Sequence, residues 1–129
     1  MTQVNLHAYR DFVEAITSDA SNNTHVFIKR LEELALTQGI NPALLNTAGI
    51  GMASEAGEFS DIVKKILFHS KDLTPELRDK MSKELGDVFW YWINACRALG
   101  LDPNAVIQEN VTKLEARHPF GKFNVNYTS

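Results

Sequence analysis

Apolar residues recur every three or four positions through most of this chain, and no stretch alternates at period two for long enough to suggest a strand. Phe59, Ile62, Val63 and Leu67 show the helical spacing in mid-chain. The prolines punctuate it. Asn41-Pro42, Thr74-Pro75 and Asp102-Pro103 each place a capping side chain before a proline suited to the first helical position. Gly39 and Gly100 stand just before two of these starts, where they can end the preceding helix. Apolar pairs flank the same starts, Ile40 with Leu45 and Leu101 with Val106, as in a hydrophobic staple. The pattern predicts five helices, over 6–17, 24–38, 42–69, 75–99 and 103–117. Residues 17–23 (TSDASNN) read as a polar loop, Pro119 closes the last helix, and Gly121–Ser129 reads as extended or loosely ordered. Short connections make neighbouring helices antiparallel. The expectation is an all-α, antiparallel helical bundle in one domain, 1–129.

Composition narrows this. With 129 residues, 44% of them apolar, the chain can bury one core. The helices 42–69 and 75–99 are apolar on more than one face, more than a single chain of this size covers, so a homodimer or homotetramer is expected. A net charge of −3 offers nucleic acid no basic footprint and argues against a membrane surface. The longest apolar run, VFWYWI at 88–93, is too short to span a bilayer. The start MTQVNLHAYRDF lacks a basic segment followed by an apolar run, so no signal peptide is expected. The one cysteine, Cys96, lies in apolar WINACRAL and reads as buried filler in a reducing cytoplasm.

The candidate chemistry lies in a repeated acidic pattern, SEAGE at 54–58 and KELGD at 83–87. Glu55 and Glu58 share a helix face, as do Glu84 and Asp87, because residues three apart lie about one turn from each other. The 25 residues between Glu58 and Glu84 allow one helix to finish and the next to run back beside it. Gly57 and Gly86 lie opposite the acids and suggest a close approach of another backbone there, while Ala48 and Gly51 suggest room beside them. Four converging, partly desolvated carboxylates repel one another unless a hard divalent cation, Mg²⁺ or Mn²⁺, joins them. The alternative is an ordinary solvated face in which Lys65 and Lys83 pair with the acids. The apolar settings MASEAGEF and LGDVFWYW favour the metal. A di-iron bundle needs a histidine three residues after such an acid, and none of His7, His25, His69 and His118 stands so after Glu55, Glu58, Glu84 or Asp87.

From about Ala48 to Pro119, SEAGEFSDIVKKILF, KELGDVFWYWINACRALGLD and ENVTKLEARHP resemble the all-α nucleoside triphosphate pyrophosphatases. These include MazG-like proteins, dimeric dUTPases, dCTP pyrophosphatases and phosphoribosyl-ATP pyrophosphatase, and the closest likeness is to compact, phage-type MazG-like members. The resemblance implies a catalytic core over about 42–118 and conversion of an NTP or dNTP to the monophosphate and pyrophosphate. Glu55, Glu58, Glu84 and Asp87 would be its catalytic and metal-binding residues, with one acid, or a water on Mg²⁺ or Mn²⁺, serving the attack. Asn110, Lys113 and Arg117, on one face of the last helix, would meet the phosphates; a solvated basic face is the alternative. Lys65 is a further phosphate candidate. Tyr91 would stack on the base or sugar, or else pack in the core. Trp90 and Trp92 read as core or interface residues. The implied preference leans to dGTP or dCTP, in the cytoplasm, the host's if phage-encoded. Alternatives are a dUTP or phosphoribosyl-ATP pyrophosphatase, or a non-catalytic helical interaction protein.

Overall fold

A computed structural model describes residues 3–123 and 125–126; the expected extended character of positions 124 and 127–129 lies outside the described residues. All regular structure among the described residues is helical. It comprises α1 (His7–Ile16), α2 (Asp19–Asn22), α3 (Thr24–Thr37), α4 (Pro42–Phe68), α5 (Pro75–Leu99) and α6 (Pro103–Arg117). They fall into two compact units, Met1–Ile40 and Asn41–Ser129.

In the first unit, the stretch expected to be loop holds the one-turn helix α2. Ser18 caps it, its hydroxyl accepting from the Ser21 amide at 3.3 Å. Asn23 caps α3 in the same way, accepting from His25 and Val26. Local side-chain capping therefore shapes a segment with no apolar pattern of its own. None of the described residues of α1, α2 or α3 is buried.

The second unit is organised by an antiparallel hairpin of α4 and α5. The expected caps are in place. Asn41 accepts from the Leu44 amide at 3.0 Å, and Thr74 accepts from Leu77 at 3.2 Å. Asp102 starts α6, accepting from Asn104 at 3.0 Å. Gly100 ends α5 in the left-handed region, φ +67°, while the Leu101 amide donates back to the Cys96 carbonyl at 2.9 Å. At the far end the turn between α4 and α5 uses Ser70 at φ +52°. The Asn41 amide donates to the Ala98 carbonyl at 2.9 Å, tying the start of α4 to the end of α5.

Among the described residues of this unit, the buried ones are Ala48, Gly51, Ile62, Asn94, Cys96 and Ala98, all on the hairpin. Asn94 is the buried polar member; its amide oxygen accepts from the Arg97 guanidinium at 2.7 Å. The close approach expected at Gly57 and Gly86 is absent, since both positions face open space. It occurs at Gly51 instead, where a β-carbon would run into the ring of Tyr91. The room expected beside Gly51 is thus taken by an aromatic side chain. After α6, the Gly121 amide donates to the His118 carbonyl at 2.9 Å, so the chain turns between the helix and the segment that begins at Gly121.

Candidate metal centre

One hairpin register positions the acids. Tyr91 sits over Gly51. One turn nearer the α4–α5 connection, Glu55 meets Glu84 and Asp87. Each of the three offers a carboxylate oxygen, and these oxygens lie within 4.8 Å of one another. Glu55 and Glu84 are half-buried and Asp87 is exposed. This is the oxygen-only donor set that a hard divalent cation takes, with coordination positions left for water or phosphate.

The electrostatics fit the same use. The Glu55 carboxyl is held above its ordinary value of 4.5, first by a hydrogen bond with Glu84 and then by desolvation. The negative charges of Glu84, Asp87 and Glu58 add to the effect. Without a cation, these neighbours favour the protonated form of Glu55. Glu58 lies outside the three-oxygen group and is exposed, yet is near enough for its charge to act on Glu55.

The remaining candidates are differently engaged. Lys65 pairs with Asp61 at 2.7 Å, and Asp61 also takes Lys64 at 3.2 Å. Asp61 is drawn below its ordinary value by those hydrogen bonds, from Lys65 first. The spacings of three and four along one helix are the sequence signal for this cluster. Lys83 pairs with Asp79 at 2.8 Å rather than with the cluster acids. The Tyr91 ring is half-buried and edge-on to Trp90, centroids 4.9 Å apart. Trp92 stacks on Phe89 at 5.5 Å.

On α6, Asn110 and Lys113 line a shallow cleft of about 220 Å³ with Val106 and Glu109, and Arg117 follows one turn after Lys113. α6 has no buried residue and no extended packing against α4 or α5. Among the described residues neither Lys113 nor Arg117 enters an ion pair. Within the chain, then, the acids converge and the basic stripe stands apart from them.

A helical hairpin that gathers carboxylates from both arms defines an all-α protein built around an acidic centre. Residues 46–121 match the MazG nucleotide pyrophosphohydrolase domain, more than half of the chain, and the chain belongs to this family. "Gene 37 protein" of Mycobacterium phage L5 is 40% identical over 79 residues, covering 60% of this chain and 68% of that protein. No solved structure matches the chain.

Proposed function

We propose that this protein hydrolyses nucleoside triphosphates between the α and β phosphates, releasing a nucleoside monophosphate and pyrophosphate. Membership of the MazG family supports the reaction class. The observation that carries the reading is the convergence of Glu55, Glu84 and Asp87 from two helices. These three fit Mg²⁺ or Mn²⁺ by donor type and spacing. When bound, the cation would neutralise the polyphosphate and make the α-phosphorus a better electrophile. Glu58, beside the group but outside it, is the carboxylate left to orient the attacking water and take its proton. That water forms the new bond to the α-phosphorus as the bond to the bridging oxygen breaks, and pyrophosphate leaves. The preferred substrates are deoxynucleotides, dGTP or dCTP. The protein would act on the nucleotide pool of a cytoplasm, the host's if the chain is phage-borne, in keeping with its mycobacteriophage relative.

The test is chromatographic product analysis with Mg²⁺ and each NTP and dNTP, dUTP and phosphoribosyl-ATP included. Monophosphate plus pyrophosphate, abolished by EDTA, is the expected result; turnover of none of them would sink the reading. Glu58→Gln and Asp87→Asn are expected to lose hydrolysis while retaining the helical circular dichroism. Loss of helicity together with activity would instead make these acids structural.

A further inference from the structure

The seam between α4 and α5 continues past the acids towards the helix connection, and one turn further on it opens into a cleft of about 360 Å³. Phe59 stands four residues after Glu55 on α4, and Met81 three before Glu84 on α5, so cleft and acidic centre lie along the same seam. Leu73 and Leu85 join Phe59 and Met81 in an apolar wall, and Arg78 and Ser82 are the polar lining residues. That volume and that mixture, mostly apolar with a few polar groups, belong to small-molecule sites of roughly 300–1,000 Å³.

Arg78 has no electrostatic partner in the fold. It enters no ion pair among the described residues. The lysines nearby are placed differently: Lys64 and Lys65 are held by Asp61, and Lys83 by Asp79. A guanidinium offers a flat fork of donors and no acceptor. Beside an apolar slot, such a fork selects a planar group that shows two adjacent acceptors on one edge.

The substrate class proposed above contains such a group. With the phosphates at the acidic centre, the base lies one sugar away, a span comparable to one helical turn of about 5 Å. Guanine presents O6 and N7 side by side, the pair of acceptors that an arginine fork meets, whereas adenine replaces one of them with an amine donor. Cytosine has its adjacent acceptors next to the sugar, where a fork is hindered. We infer that this cleft takes the base of the nucleotide and that Arg78 selects guanine by donating to O6 and N7, with Phe59 and Met81 against the face of the ring. Ser82, one turn on from Arg78, adds a hydroxyl that can donate or accept. This rests on the proposed hydrolysis and narrows its substrate to a guanine nucleotide.

Removing one acceptor from the base tests the assignment. 7-Deaza-dGTP lacks N7 and otherwise matches dGTP. Wild type is expected to favour dGTP over 7-deaza-dGTP, dATP and dCTP by about tenfold or more in kcat/KM, the scale of one bidentate contact. In Arg78→Met the ratio of dGTP to 7-deaza-dGTP should fall close to one. Arg78→Lys keeps the charge without the fork and should do the same. Arg78 is exposed on α5, so neither variant has a packing reason to unfold. A wild type indifferent to N7, one that prefers dATP or dCTP, or a lysine variant with full discrimination overturns the assignment. Calorimetry with dGMP and 7-deaza-dGMP reads the cleft without turnover, and wild type should bind dGMP about tenfold more tightly, Arg78→Met both alike. If wild type hydrolyses no nucleotide, the functional reading fails and calorimetry still decides the cleft. Absence of dGMP binding, or binding that Arg78→Met leaves unchanged, overturns it.

Discussion

A methyl group at position 51 would run into the Tyr91 ring, so Gly51 sets how near that ring comes to α4. Gly51→Ala is predicted to be destabilising by about 1–3 kcal/mol, as overpacking is. In a Tyr91→Ala background the same change should instead gain about 1 kcal/mol of helix propensity. Urea denaturation of the four proteins in that cycle measures the coupling; additive effects would show that the ring moves aside freely. Glu55 makes a prediction about pH. Its folded-state carboxyl titrates above the ordinary 4.5, so the bound proton stabilises the metal-free fold below 4.5. That contribution is lost as pH rises through the folded value. In EDTA the urea midpoint should therefore decline with rising pH across that window. Glu84→Gln, which removes a charge and alters the hydrogen bond that is the first cause of the shift, should flatten the decline. An unchanged slope would show that the Glu55–Glu84 contact does not hold the proton. The convergence of Glu55, Glu84 and Asp87 was legible from the repeated tetrapeptide, because spacing along a helix fixes the face, whereas the pattern did not set Glu58 outside that group. Tyr91 over Gly51 was not legible, since it depends on the register between two helices.

Element boundaries followed the punctuation. α4, α5 and α6 begin at the three prolines, behind Asn41, Thr74 and Asp102, because capping and a fixed φ are local properties. α2 was hidden for the opposite reason: one turn has no periodicity to read, and only the Ser18 cap marks it. Thr74→Ala is predicted to cost about 1 kcal/mol by leaving the Leu77 amide without its acceptor. Gly100→Ala, which forces a β-carbon into the left-handed region, should cost roughly 1–2 kcal/mol. Both are read from thermal or urea unfolding, and a Gly100 variant as stable as wild type would mean the chain leaves α5 by another conformation. The separation of α6 from the hairpin had no counterpart in the pattern. Its apolar stripe shows that something is covered and does not say by which chain.

For the whole molecule, a cation bridging Glu55, Glu84 and Asp87 would link two helices that otherwise repel one another there. Mg²⁺ is predicted to raise the unfolding temperature and Asp87→Asn to reduce that increment, since a ligand bound only by the folded state stabilises it by mass action. No response to Mg²⁺ at millimolar concentration would argue against the centre. The hairpin also contains a clock. Cys96, the chain's one thiol, is 5% exposed on α5, so a thiol reagent reaches it only when the structure around it opens. The rate of its labelling would time that opening in the unaltered protein, without a reporter having to be built in, and any cation that bridges the helices should slow it.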